Sequence, residues 1–267
     1  SRGLGDVYKR QLLNIISKRL PQNLITHPEL EVFLNGKQIV TTVDLSDSFF
    51  QMPLALASQP YTAFFSSLHG KRYCFTRCPQ GLKNSPLYLK LLMDKLFGDM
   101  TDDVIHYADD ILIATSGNFS QHLRVVDKAL KRITNGKIKI RPQKINLAKE
   151  EIDFLGMVWT KGKLSIPRAK TLAFQNLPSP NTPKKAKSVI CALSYYRKFV
   201  PSFAQLSQPI MDLSLLHPKE FKWTEQHENL FRRLIRKICQ NATRYLPNPD
   251  KPYFVQTDAS AFCGAGK

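Results

Sequence analysis

Three carboxylates of this 267-residue chain lie beside apolar, strand-like segments, where an ionised side chain is costly. Asp44 ends the β-rich run 39–43, and the pair Asp109 and Asp110 interrupts the apolar run 104–114. A carboxylate taken out of water needs a compensating partner, and Mg²⁺ prefers hard oxygen ligands. Two such ions about 4 Å apart can bind the attacking and leaving oxygens of a phosphoryl transfer. The alternative is that these acids belong to turns, where Asp is favoured.

The elements that must position these acids follow a mixed α/β pattern, and residues 28–115 are mostly strand-like. The runs 104–107 and 111–114 predict a hairpin with the two adjacent acids at its bend. Helices are predicted where Pro or Thr is followed by apolar residues at helical spacing. The other predicted strands are 39–43, 61–65, 72–76, 152–159 and 164–166, and the predicted helices are 85–97, 120–134, 183–196 and one that begins after Thr224.

The character of the chain changes near residue 166. Prolines cluster between 167 and 183, and the segments between them are helical in pattern. A new strand is predicted to begin at Tyr253. We therefore expect an α/β region followed by a mainly helical, basic region.

The charge of the chain indicates a polyanionic partner. Lys plus Arg number 39 and Asp plus Glu number 21, which gives a formal charge of +18. Nucleic acid fits such a charge best and a membrane surface less well, while a basic protein without a polyanion is the alternative. The basic stretch 124–144 fits phosphate contacts and an ordinary solvated face equally well.

Composition argues against several other classes of protein. No stretch approaches about 18 uncharged apolar residues, so no transmembrane helix and no membrane partner are predicted. The five cysteines are sparse and fit a reducing compartment rather than a disulfide framework. Cys74 and Cys78 lack the second Cys/His pair that a zinc site needs.

Residues 1–11 show no periodicity and are interpreted as a non-native leader, with a native N-terminal tail as the alternative.

Four sequence words together resemble the palm motifs of reverse transcriptases. They are VDLSDSFFQMPL (43–54), RCPQGLKNSP (77–86), YADDILIA (107–114) and FLGMVW (154–159). In order and spacing they are most similar to retroviral and gypsy-type long-terminal-repeat retrotransposon polymerases. The segments 179–213, 221–234 and 246–260 resemble the thumb, connection and ribonuclease H approach of the same polyproteins, so that the resemblance covers residues 28–267.

The resemblance implies a fold class and a domain order. The expected fold is α/β (α+β), a right-hand polymerase palm with partial fingers, a helical thumb or connection, and the opening strand of a ribonuclease H-like domain. The expected ranges are 12–165 for the palm with partial fingers, 54–84 for its fingers-like part, 166–245 for the basic helical thumb or connection, and 246–267 for the truncated ribonuclease H start.

The resemblance also implies roles in nucleotidyl transfer. Asp44, Asp109 and Asp110 would be the catalytic carboxylates and would bind two Mg²⁺ ions, with Mn²⁺ as the alternative ion. Phe49 would exclude a ribose 2′-hydroxyl, although core packing alone also accounts for an aromatic residue there. The remaining substrate contacts would come from Gln80 and Gly81, which would touch the incoming nucleotide, and from Lys144, which would protonate the leaving pyrophosphate or would be a plain surface lysine.

Two further groups of residues follow from the same resemblance. The primer grip, a hairpin that holds the primer strand, would consist of Phe154, Leu155, Gly156 and Met157. Asp258 would be the first metal-binding carboxylate of a ribonuclease H-like domain, or part of a connection subdomain without cleavage activity. The basic helices 183–198 and 225–240 would lie against duplex phosphates without reading sequence.

The sequence thus predicts an RNA-directed DNA polymerase fragment of a retroelement Pol polyprotein. Its partners would be an RNA or DNA template–primer duplex, dNTPs and the remaining Pol domains (protease, ribonuclease H and integrase), in the cytoplasm or in virus-like particles. About 40 residues precede Asp44, and we find no match there to the fingers strands that bind the triphosphate. Weak or no activity of the chain alone is therefore expected. The alternatives are a catalytically inactive nucleic-acid-binding relic and an RNA-dependent RNA polymerase, which Phe49 and the 179–260 segment disfavour.

Overall fold

The computed structural model describes residues 5–21, 25–246, 252, 257–259 and 264–266, with side chains for 11–21, 25–246 and 252. The chain forms two compact units, residues 1–150 and residues 151–267. This division lies upstream of the change expected near residue 166, and the subdomain names given above stay predictions. Within the described part of the chain, no helix is both long and apolar enough to cross a membrane.

The helices begin largely where the sequence places a capping residue. Thr182 accepts a hydrogen bond from the backbone N–H of Lys185, and Asn118 accepts one from Gln121, so each cap satisfies an otherwise unpaired donor. The α-helices are α1 (Gly5–Ile16), α2 (His27–Leu34), α3 (Ser85–Phe97), α4 (Phe119–Asn135), α5 (Arg168–Gln175), α6 (Pro183–Ser194), α7 (Phe203–Leu213) and α8 (Glu225–Gln240).

The strands are short, as their separated β-rich runs predict. They are β1 (Ile39–Asp44), β2 (Phe64–Ser66), β3 (Lys71–Tyr73), β4 (Val104–Tyr107), β5 (Asp110–Thr115), β6 (Asn146–Lys149), β7 (Glu151–Phe154), β8 (Met157–Thr160), β9 (Lys163–Ser165), β10 (Thr243–Tyr245), β11 (Thr257–Ala259) and β12 (Gly264–Gly266). Short 3-10 helices cover Ser48–Gln51, Leu56–Thr62, Pro142–Lys144 and Arg197–Phe199.

The first unit is built on an antiparallel sheet with the strand order β4-β5-β1-β6. Val43 and Ile111 face each other across β1 and β5, and both are at most 1% exposed. They pack in one buried cluster with Met93 of α3 and Ala129 of α4. The two helices therefore cover one face of the sheet and fix the ends of its central strands.

The second unit pairs a separate antiparallel sheet with helices. The order of this sheet is β10-β9-β8-β7, and α7 packs against both α6 and α8. Its most buried large side chains include Trp159 of β8 and Phe231 of α8. The short β11–β12 hairpin follows, and Tyr253, where a strand was predicted to begin, lies outside the described residues.

Three sequence-based expectations about elements are wrong. The predicted strand 152–159 is two strands, because Leu155 and Gly156 form a turn between β7 and β8. Residues 27–34 form α2 rather than a strand, since Thr26 and Glu29 build a capping box before an apolar face. In place of the segments 61–65 and 72–76, the structure has the shorter strands β2 and β3, and the first two residues of 61–65 complete a 3-10 helix.

Candidate active site

The register of two strands places the three predicted carboxylates at one end of the first sheet. Asp44 is the last residue of β1 and lies directly opposite Asp110, the first residue of β5. Asp109 belongs to the two-residue turn that joins β4 to β5, and its carbonyl accepts a hydrogen bond from Leu45 N at 3.0 Å. The backbone ladder therefore holds all three acids, irrespective of their side-chain rotamers.

The turn that carries Asp109 has an unusual conformation. Ala108 has a φ of 52°, in the left-handed region that residues other than glycine rarely adopt. Two-residue hairpin turns need such a positive φ to match the twist of their strands. Ala108 therefore accepts backbone strain so that Asp109 is presented at the sheet end.

The carboxylates are close enough to influence one another. Partial burial, followed by the negative charges of Asp109 and Asp44, raises the pKa of Asp110, and Lys144 opposes this shift. Like charges that raise a pKa in this way are relieved when a cation approaches. The sheet end therefore favours cations.

Two basic side chains form ion pairs with Asp44 and offset part of this negative charge. The Arg141 Nη1 and the Lys144 Nζ both lie 3.2 Å from its Oδ2. The backbone N–H of Arg141 also donates to the Asp44 carbonyl at 2.9 Å. Lys144, predicted as a substrate contact, is thus brought to the carboxylates, whereas sequence reasoning missed Arg141.

The side chain of Gln51 connects the segment that carries Lys139 and Arg141 to the residues that follow β1. Its Oε1 accepts from Lys139 N at 2.5 Å, and its Nε2 donates to the Lys139 carbonyl at 2.8 Å and to the Ser46 carbonyl. Because Lys139 lies two residues before Arg141, this amide clamp positions the guanidinium. Sequence reasoning also missed Gln51, although it lies inside the first quoted word, since its partner Lys139 is 88 residues away.

The donor set fits a hard divalent cation that shares its coordination with substrate. Within the described residues, no three His, Cys, Asp or Glu side chains form a ready-made metal cage. Mg²⁺ is usually held by one or two carboxylates together with substrate phosphates, rather than by an all-protein cage. Asp44, Asp109 and Asp110 supply hard oxygens of this kind on a fixed backbone.

The predicted nucleotide contacts lie in the same unit. Phe49, in the 3-10 helix after β1, is partly buried and packs against the hydrophobic core, so core packing is part of its role. Gln80 is exposed, and Gly81 has a φ of 90°, which favours glycine. The Gly81 carbonyl accepts a hydrogen bond from Asn14 Nδ2 at 2.7 Å, so α1 supports this loop.

The predicted primer-grip residues form a separate site in the second unit. Phe154 and Met157 are a cross-strand pair, 7% and 3% exposed, and Leu155 and Gly156 form the turn between them. Asp258 lies in β11, opposite Ala265. Sequence reasoning missed Tyr195 and Tyr196, whose hydroxyls contact the turn.

A model of a known protein family matches more than half of this chain. The family model described as "Reverse transcriptase (RNA-dependent DNA polymerase)" matches residues 2–159. This range includes most of the predicted leader and α1. The assignment of residues 1–11 as a leader stays a prediction.

Two relatives illustrate the sequence similarity. The chain is 31% identical over 249 residues to the Retrovirus-related Pol polyprotein from transposon gypsy of Drosophila melanogaster, which covers 88% of this chain and 24% of that protein. It is 31% identical over 235 residues to the Gag-Pol polyprotein of Avian reticuloendotheliosis virus, covering 84% of this chain and 20% of that protein. The chain thus spans about a quarter of the length of these relatives or less.

Solved structures are similar over nearly the whole chain. A foamy viral protease–reverse transcriptase in complex with double-stranded DNA has a TM-score of 0.82 at 26% identity, covering 94% of this chain and 44% of that one. A foamy viral protease–reverse transcriptase in complex with an RNA/DNA hybrid has a TM-score of 0.79 at 26% identity, covering 94% and 34%.

Proposed function

The chain belongs to the reverse transcriptase (RNA-dependent DNA polymerase) family, and we propose that it is the polymerase piece of a retroelement Pol polyprotein. In this proposal it extends a primer 3′-hydroxyl with dNTPs on an RNA or DNA template. The observation that carries the proposal is the β1–β5 register, which sets Asp44 opposite Asp110 and Asp109 in the adjoining turn. Nucleotidyl transfer is general to this family.

The family is generally dependent on divalent metal, and we infer that two Mg²⁺ ions serve this chain, with Mn²⁺ as the alternative. Asp44, Asp109 and Asp110 would hold them, in keeping with the hard oxygens and the raised pKa of Asp110. When bound, such ions neutralise triphosphate charge and make the primer hydroxyl a better nucleophile. The protein itself supplies rigid placement, which is worth much of the rate in phosphoryl transfer.

Other residues would select and orient the nucleotide. Phe49 would exclude a 2′-hydroxyl, and Gln80 and Gly81 would contact the incoming nucleotide. Lys144 would donate a proton to the leaving pyrophosphate, a role that its position beside Asp44 supports. Asp258 would belong to a ribonuclease H-like domain or a connection subdomain.

The partners would be a template–primer duplex and the remaining Pol domains. A charge of +18 supports phosphate contacts along a duplex, and the similar foamy viral proteins form complexes with double-stranded DNA and with an RNA/DNA hybrid. The Pol polyprotein relatives support the presence of further domains beside this one. In this proposal those domains are protease, ribonuclease H and integrase, and the setting is the cytoplasm or virus-like particles.

Primer extension on an RNA template with Mg²⁺ tests the proposal. This chain is compared with its Asp109→Asn variant and with a longer chain that restores upstream Pol residues. We expect extension by the longer chain, weaker extension by this chain, and none by the variant. Tight template–primer binding without extension by any form would instead support a nucleic-acid-binding relic, and preference for ribonucleotides would contradict the role of Phe49.

A further inference from the structure

We propose that Tyr195 and Tyr196 are positioning residues, whose hydroxyls fix the carbonyls of the β7–β8 turn and thereby set how tightly the protein holds the primer strand. This inference rests on the proposed polymerase function and on the primer-grip role expected for residues 154–157 of that turn. The geometry that supports it lies entirely within the second unit.

The turn itself is a strained backbone that needs support. Leu155 has a φ of 51° and Gly156 a φ of 70°, while Phe154 and Met157 pair on either side. Both central residues are thus left-handed, which suits a hairpin turn but disfavours a leucine. Leu155 keeps this conformation only while the surrounding contacts over-determine it.

The two tyrosine hydroxyls engage the two carbonyls of that turn, one each. The Tyr195 hydroxyl donates to the Leu155 carbonyl, and the Tyr196 hydroxyl donates to the Gly156 carbonyl at 3.3 Å. Adjacent carbonyls are therefore bound from adjacent residues 40 positions further along the chain. Such a paired contact fixes the orientation of the turn as well as its place.

The two tyrosine rings, which together form a tyrosine clamp on the turn, are held rigidly. Tyr196 is 5% exposed, and its ring lies edge-on to Phe174, with 5.3 Å between centroids. The Tyr195 ring packs edge-on against Tyr196 at 4.9 Å. Burial, followed by the charge of Asp153, raises the pKa of Tyr196, so that its hydroxyl keeps the proton it donates.

The hydroxyls act on the turn more than on the fold. Phe154 and Met157 anchor the hairpin in the core through their own side chains, and Trp159 of β8 is 1% exposed. Removing two oxygen atoms leaves this packing and the tyrosine rings in place. The expected consequence is a looser turn on an intact unit.

The test uses the full chain with Tyr195→Phe, Tyr196→Phe and the double variant. Tyr245→Phe is the matched control, because Tyr245 is 70% exposed and its ring contacts the Lys163 ammonium. Three quantities are measured: hydrogen exchange of the amides of residues 155–158, the Kd for a fluorescent template–primer duplex, and KM and kcat for that duplex.

We expect the double variant to exchange its turn amides faster and to raise Kd and KM for the duplex about tenfold, which equals about 1.4 kcal/mol. kcat and Tm should stay near the wild-type values, the single variants should fall between, and Tyr245→Phe should match wild type. Unchanged turn exchange would overturn the proposal, as would faster exchange without weaker duplex binding. A large fall of both Tm and kcat in the double variant would also overturn the proposal, since the role of the two tyrosines would then be structural.

Failure of the proposed function can be told apart from failure of this inference. Exchange and duplex binding need no catalysis, so both can be measured if wild type extends no primer. If duplex affinity depends on the two hydroxyls but wild type extends no primer, polymerase activity is rejected and the role of Tyr195 and Tyr196 is retained. Extension by wild type with affinity independent of the hydroxyls would do the reverse.

Discussion

The sheet end of the first unit and the β7–β8 turn of the second hold their functional groups in opposite ways. At the sheet end, the ladder fixes the backbone, and the proposed chemistry belongs to charged side chains: Asp44 and its partners Arg141 and Lys144. At the turn, the groups of interest are backbone carbonyls, and the aromatic side chains Tyr195 and Tyr196 hold them.

This difference predicts which changes in solution conditions or in side chains affect each region. Electrostatic interactions between partly exposed groups respond to charge, salt and divalent ions. Contacts of neutral hydroxyls on packed rings respond mainly to changes of shape. Substitutions at the sheet end should therefore change chemistry and ion binding, whereas substitutions at the turn should change geometry.

The largest expected effect is on catalysis at the sheet end. Asp109→Asn should lower the rate of primer extension by roughly a thousandfold or more, because several kcal/mol of charge stabilisation depend on the carboxylates that we propose to bind the metal. The melting temperature should fall little, since Asp109 lies in a turn and its carbonyl keeps the bond to Leu45. Single-turnover extension and thermal melting check both statements; comparable activity of variant and wild type would remove Asp109 from the site.

The second effect concerns a buried polar contact that stabilises the first unit. His122 of α4 is 0% exposed, and its ring nitrogens lie 2.8 Å from Thr41 Oγ1 on β1 and 2.9 Å from Thr115 Oγ1 on β5. His122→Ala should lower the free energy of unfolding by about 2–4 kcal/mol, because it leaves a cavity and removes the ring partner of both hydroxyls, of which Thr41 Oγ1 keeps its hydrogen bond from Ala148 N. Urea unfolding measures this loss, with exposed His69→Ala as the control.

The same residue gives the first unit a pH dependence. Burial lowers the pKa of His122 below 6.5, so the unfolded chain binds more protons as pH falls through that value. Stability should therefore decrease between about pH 7.5 and 5.5. His106 adds a dependence of the same sign, since burial lowers its pKa too. The slope should be shallower in His122→Ala than in wild type; parallel curves would contradict this assignment.

A smaller effect is expected on ion binding. Arg141→Gln should raise the affinity for Mn²⁺, used as a spectroscopic probe, severalfold, because exposed ion pairs are worth up to about 1 kcal/mol. Lys139→Gln removes the same charge from the same segment and keeps the backbone contacts with Gln51. Titration followed by electron paramagnetic resonance compares the two, and equal increases would show that only net charge matters.

The smallest effect is expected at the turn. Leu155→Gly should change the free energy of unfolding by no more than about 1 kcal/mol, because relief of left-handed strain is offset by a more flexible unfolded chain. Duplex affinity should fall less than in the double tyrosine variant, since the Tyr195 and Tyr196 hydroxyls still hold the same carbonyls. Chemical unfolding and duplex binding test this, and a loss above 2 kcal/mol would mean that the Leu155 side chain itself carries stability.

Much of the site could be predicted because its signals are local. Asp44 follows a β-rich run, and Asp109 and Asp110 lie between two apolar runs, so a hairpin with acids at its bend follows from pattern alone. The structure confirms that hairpin, and its register then fixes Asp44 opposite Asp110. The pattern-based strand 152–159 missed the turn at Leu155, because Phe154 and Met157, both buried, continue an apolar run through it. The resemblance, by contrast, implied a hairpin at residues 154–157.

The sequence by itself determined which residue types could do chemistry, the order of the four words, most helices and strands, and family membership. These features depend on neighbours within a few positions, where periodicity and capping report directly on burial. Only the tertiary structure decided the partners. Arg141 meets Asp44 across 97 residues, and Tyr195 meets Leu155 across 40. Such pairs depend on how sheets and helices pack, which no local pattern encodes.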